Sequence, residues 1–137
     1  MKYKMVARVI TLEFVKDARG KGFEVRLVPE PVVVRCADTV IWDVQGLTKS
    51  VAEKISFTNF LPVEGPGRVV LGKKGLAARK MKWQSKRSVP VKATGDRFRA
   101  TLDLGASDPG VYKYDIEYDG LTLIDPEMEI KGPRGGS

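Results

Sequence analysis

Apolar residues in this chain return at every second position, in one short run after another, and that period belongs to extended backbone, where successive side chains point to opposite faces. In FEVRLV, Phe23, Val25 and Leu27 share one side while Glu24 and Arg26 share the other. DRFRATLDL sets Phe98, Ala100, Leu102 and Leu104 against Arg97, Arg99, Thr101 and Asp103. VYKYDIEY sets Val111 or Tyr112, then Tyr114, Ile116 and Tyr118, against Lys113, Asp115, Glu117 and Asp119. Wound into a helix, such runs would scatter their apolar side chains around the cylinder instead of gathering them in one stripe. They predict strands that each bury a single face.

Turn residues separate these runs. PEP interrupts the ladder after FEVRLV, because proline has no N–H to donate, and VVVRCADTVIWDV then predicts either two short strands about an Ala37-Asp38 turn or one bent strand. YKMVARVITLEF alternates with a phase slip near Val9, the mark of a bulge or an edge. EKISFTNF places Ile55 and Phe57 inward, GRVVLG is a short run between glycines, and SDPG predicts a type I turn at 107–110. The Asp119-Gly120 dipeptide favours a tight hairpin, so 110–118 and 121–131 are expected to pair antiparallel. Seven to nine short strands at this spacing predict a two-sheet sandwich or barrel in 137 residues. That length holds one core, so a single domain is expected over 1–131, with a flexible tail at 132–137. GLAARKMKW, within an insertion around 73–88, is the one predicted helix.

Three stretches together carry a family resemblance. PGVYKYDI resembles the PGxYxYxC stretch that enters the last hairpin of cupredoxins, the small blue-copper sandwiches; ADTVIWDVQG is similar to their GDxVxWxNxD strand; DPEMEI stands where they have a final GxVxV strand. The resemblance implies an all-β, two-sheet antiparallel Greek-key sandwich, with an immunoglobulin-like sandwich as the alternative. It does not carry the copper ligands across. The family's cysteine falls at Ile116, its following histidine has no counterpart around Asp119, and no histidine follows Trp42. Met128 stands alone, and an axial methionine holds no metal without the thiolate and imidazoles. No copper, no other metal and no cofactor are expected.

The chain contains no histidine, which removes Ser-His and Cys-His nucleophilic sites and the commonest general base. Its one cysteine, Cys36, lies in an apolar run and reads as a small buried hydrophobe. Asp115, Glu117, Asp119, Asp125, Glu127 and Glu129 alternate along both arms of the closing hairpin, where paired carboxylates would serve glycoside cleavage or calcium binding. Half-exposed strands show the same alternation, and solvent-facing acids interleaved by Lys113 and Lys131 are the expectation. The N-terminal run is broken by Arg8, Thr11 and Glu13, so neither a secretory segment nor a membrane span is expected, and a cytoplasmic location follows.

Charge is concentrated in one place. Residues 65–95 hold nine cations and no acid, while the whole chain nets +7, so this segment makes the protein basic. GKKGLAARKMKWQSKRSVPVK packs eight of those cations around one tryptophan. Clustered cations displace counterions from a phosphate backbone and an indole stacks on an exposed base; EGPGRVVLGKKG lacks the spacing of a nucleotide P-loop. The sequence therefore predicts a non-catalytic module that binds a polyanion or an acidic protein surface through residues 68–92. Lys73, Lys74, Arg79, Lys80, Lys82, Trp83, Lys86 and Arg87 are the candidate contacts, and nucleic acid is one candidate partner. The alternative is an assembly protein: residues 96–131 carry nine acids against four cations, so the basic segment of one copy would engage the acidic hairpin of another.

Overall fold

The computed structural model describes residues 6–16, 22–64, 69–70, 88–104 and 109–132. Among them are twelve strands and one short helix: β1 (Ala7–Lys16), β2 (Phe23–Val28), β3 (Val32–Arg35), β4 (Thr39–Gln45), α1 (Lys49–Ala52), β5 (Ile55–Glu64), β6 (Val69–Val70), β7 (Ser88–Pro90), β8 (Lys92–Thr94), β9 (Arg97–Asp103), β10 (Gly110–Tyr118), β11 (Leu121–Ile124) and β12 (Glu127–Lys131). The chain crosses repeatedly between two sheets. One runs in the order β2-β1-β4-β9-β8, the other β3-β12-β10-β5-β6, with β11 paired to β10 and β7 to β5. Most ladders are antiparallel, while β1 with β4 and β12 with β3 run parallel.

The VVVRCADTVIWDV segment forms two strands in different sheets. Between them Ala37 takes a left-handed φ of 70°, and the reversal is held by Asp38, whose carboxylate accepts the Arg35 amide at 3.0 Å. The Cys36 amide donates to the Lys131 carbonyl at 2.9 Å, so the crossover is tied to β12, and Cys36 is half-buried against the core. Gly46, just past β4, sits at φ +91°, and a Cβ there would stand 2.1 Å from the Phe14 carbonyl oxygen. Only glycine lets the chain pass β1 at this approach. The hairpin predicted at Asp119-Gly120 is present, both residues having positive φ, 50° and 86°, as a type I′ turn requires.

Strand faces follow the sequence alternation. Ile10, Leu12, Phe14, Val40, Trp42, Val44, Ala100, Leu102, Tyr112, Tyr114, Ile116, Met128 and Ile130 are all buried between the sheets. Val9, where the period slips, is exposed without a bulge: β1 keeps an unbroken register with β4 from Ala7 to Glu13, and β2 joins its other side only from Thr11 onward. A bulge does occur in β5, where Thr58 and Leu61 oppose Asp115 and Lys113. The extra residue turns Phe60 inward after Ile55 and Phe57. The 107–110 turn, the predicted helix at 75–83 and the tail beyond Gly132 lie outside the described residues, apart from Pro109 and Gly110.

Aromatic side chains join the two layers. Trp42 of β4 stacks on Phe57 of β5 at a centroid distance of 4.4 Å and 18°, and Phe60 stacks on Tyr114 at 5.2 Å and 18°. The buried indole N–H of Trp42 donates to the Tyr114 hydroxyl at 3.3 Å. Burial drives the Tyr114 phenol far above its ordinary range, and the indole hydrogen bond offsets only part of that. In the unfolded chain a tyrosine ionises near pH ~10, whereas native Tyr114 stays neutral, so this contribution to stability is complete below that pH and lost as pH rises past it. Replacing Tyr114 by Phe is expected to lower neutral-pH stability by about 1–2 kcal/mol, since the indole N–H loses its acceptor. The same change should flatten the alkaline decline. Urea unfolding of both proteins at about pH 8 and about pH 10.5 reads both effects.

Candidate functional site

The chain changes sheets at Val91. Ser88–Pro90 lies beside β5 in one sheet, and Lys92–Thr94 pairs with β9 in the other. At this corner an open groove of about 520 Å³ is lined by Ser88, Thr94, Thr101, Lys92, Arg99 and Ile41, among others. Strand register explains the lining. Lys92 stands opposite Arg99 and Thr94 opposite Arg97, so β8 and β9 together present Lys92, Thr94, Arg97, Arg99 and Thr101 on the outward side, while Ala100 and Leu102 point to the core.

One carboxylate organises these cations. Asp43, on the outer side of β4 and only 5% exposed, accepts Arg99 Nε at 3.1 Å and Gln45 Nε2 at 3.1 Å, and Arg97 lies 3.9 Å away. Arg99 is thereby held half-buried, while Arg97 and Lys92 extend into solvent. The arrangement offers fixed cations and hydroxyls side by side, the donor types that contact phosphate and sugar oxygens.

The eight contacts predicted from the sequence, Lys73, Lys74, Arg79, Lys80, Lys82, Trp83, Lys86 and Arg87, lie outside the described residues. The segment that holds them rejoins the described chain at Ser88, in the groove lining. Arg97, Arg99, Thr94 and Thr101 were absent from that prediction. Their signal was present in the alternation of DRFRATLDL, but nothing in the sequence places that face beside Ser88 and Lys92.

The hairpin acids face outward on the other sheet. Lys113 bridges Asp115 at 3.1 Å and Asp125 at 3.3 Å; burial alone would lower its pKa, yet the hydrogen bonds it donates to both carboxylates raise it. The Thr58 hydroxyl hydrogen-bonds Glu117. Lysine and threonine thus break up the row of like charges.

The resemblance to cupredoxins is tested by the same geometry. PGVYKYDI enters the central strand β10, ADTVIWDVQG becomes β4 in the facing sheet and DPEMEI forms β12 between β10 and β3. The architecture is a cupredoxin-like two-sheet sandwich. Its residues do not fit copper: Ile116, at the family's cysteine position, is wholly buried between Phe57 and Ile124, and Met128 is wholly buried opposite Tyr112. Beside Tyr118, an apolar cavity of about 420 Å³ is lined by Phe14, Phe23, Leu47, Val51 and Ile55, among others. Among the described residues no three Cys, Asp or Glu side chains gather as a metal group.

No protein-family model and no curated protein matches the chain. Among solved structures it is similar to a multicopper oxidase, at 15% identity and a TM-score of 0.42, covering 92% of this chain and 44% of that one. It is also similar to a blue copper oxidase from Nitrosomonas europaea, at 11% identity and a TM-score of 0.36, covering 92% of this chain and 43% of that one. The chain spans less than half the length of either.

The Asp43 geometry predicts unequal partners. In double-mutant cycles, Asp43 with Arg99 should couple by about 1 kcal/mol or more, and Asp43 with the longer, exposed Arg97 contact by a few tenths at most. Urea unfolding of Asp43→Asn, Arg99→Met, Arg97→Met and the two double variants provides the values.

Proposed function

We propose that the protein is a non-catalytic binding module that takes a polyanion, nucleic acid first, along the groove at the sheet corner. The observation that supports this most is the convergence of Lys92, Arg99 and three hydroxyls, from Ser88, Thr94 and Thr101, in one open groove. The most basic stretch of the sequence, 68–92, runs into that groove at Ser88. The contacts predicted from the sequence, Lys73, Lys74, Arg79, Lys80, Lys82, Trp83, Lys86 and Arg87, belong to the same proposal. Binding of this kind is dominated by counterion release, so it weakens steeply with salt.

The test is fluorescence anisotropy with labelled single- and double-stranded oligonucleotides at low and physiological salt. Lys92→Glu with Arg97→Glu should weaken binding at least about tenfold and reduce the single-strand salt slope by roughly one to two. The melting curve should stay near that of the parent, since both side chains are largely exposed. Affinity that ignores salt, or survives both reversals, contradicts the reading.

A second reading, assembly through the acidic hairpin, is favoured by the placement of Asp115, Glu117, Glu127 and Glu129 on the outer face of the sheet opposite the groove. Copies arranged head to tail would then bring unlike faces together. In that case light scattering without nucleic acid shows a mass that falls as salt rises.

A further inference from the structure

Among the described residues, β2 has a strand on one side only, and at six residues it is longer than any other strand left at an edge. Proteins usually protect such edges with short strands, proline or charges that repel an incoming copy. The other strands with one partner are shorter: β8 has three residues including Lys92, β7 three ending at Pro90, β6 two, β3 four preceded by Pro31, and β11 four.

Its sequence, FEVRL over residues 23–27, is self-complementary about Val25. If two copies pair antiparallel with Val25 opposite Val25, then Glu24 of each faces Arg26 of the other, and Phe23 faces Leu27. Glu24 and Arg26 lie on the outer face, are each more than half exposed, and are 3.0 Å apart within one chain. Glu13 of β1 already stands opposite Arg26, so pairing would extend the ladder as Glu13, Arg26 and the second copy's Glu24, with signs alternating across three strands. Unlike charges directly opposite stabilise an antiparallel pair.

The apolar side offers a second complementarity. Phe23 packs edge-on against Phe14 at 6.4 Å yet remains 50% exposed, whereas its neighbours on that face, Val25 and Leu27, turn toward the core. Next to Leu27 the sheets leave a lateral opening of about 240 Å³ lined by Val25, Leu27, Ile124 and Pro126, with Glu30 and Asp125. In the antiparallel register the second copy's Phe23 arrives beside Leu27, at this opening. We infer that β2 is a self-association edge: two copies join β2 to β2 about a twofold axis at Val25, forming one continuous ten-stranded sheet, with each Phe23 seated in the other's opening. The surface is separate from the groove; its opening borders Ile124, Asp125 and Pro126 of the closing hairpin, but charge exchange at Glu24 and Arg26 touches neither the groove cations nor the hairpin acids, so the inference is tested apart from the proposed function.

Sedimentation equilibrium on the full chain tests it. The parent should dimerise in a concentration-dependent way below the millimolar range, as suits a small interface. Glu24→Arg makes all four facing charges positive and Arg26→Glu makes them all negative, so each variant alone should dissociate at least about tenfold more readily. An equimolar mixture of the two should recover a heterodimer, and the double exchange Glu24→Arg with Arg26→Glu a homodimer. Because Arg26→Glu also faces Glu13 and can weaken β2, Phe23→Lys provides an independent variant, also expected to be monomeric with an unchanged far-ultraviolet spectrum. A parent that stays monomeric at millimolar concentration, single variants that dimerise like the parent, or well-folded single variants whose mixture does not associate would each overturn the inference.

Discussion

The contact between Trp42 and Tyr114 determines what the rest of the molecule can do. An indole and a phenol, both fully buried, are expensive to bury unless their polar atoms meet, and here the 3.3 Å hydrogen bond satisfies one with the other. Because the two residues come from β4 and β10, central strands of opposite sheets, that single requirement fixes the spacing and relative shift of the layers. Phe57 and Phe60 close around them, Phe60 reaching the seam only through the β5 bulge. Ile116, at the position of the cupredoxin cysteine, lies buried between Phe57 and Ile124, so apolar packing continues there.

With the inner faces committed to packing, chemistry is left to the outer ones, and these differ. On the five-stranded sheet a nearly buried Asp43 orients Arg99 and leaves Arg97 and Lys92 extended, giving a basic corner. On the other sheet Lys113 does the reverse, spacing a row of carboxylates. Each lone counter-charge is worth modest energy at a surface. Its larger effect is geometric, since it sets which charges stay available to a partner.

Much of this was legible from alternation. Tyr114 and Ile116 could be assigned to the core, and Asp119-Gly120 to a tight hairpin, because period and turn chemistry are local. What stayed hidden depends on long-range pairing. The parallel pairing of β1 with β4 has no turn to announce it, and the β5 bulge inverts the phase after Thr58 without any glycine to mark it. α1 is a single turn, too short to produce a helical period. The outward face of DRFRATLDL was readable as a row of polar residues. That it joins Lys92 and Ser88 into one groove follows from the chain changing sheets at Val91, which no local pattern encodes.

Native-state hydrogen exchange on the isolated protein examines the aromatic seam most directly. If the seam clasps both sheets into one cooperative unit, the amides of Val40–Val44 in β4 and Tyr112–Ile116 in β10 will exchange most slowly and share one opening free energy, equal to that of global unfolding. Two distinct opening energies, one for each sheet, or early exchange in β4, would show that the layers are held together by something other than this contact.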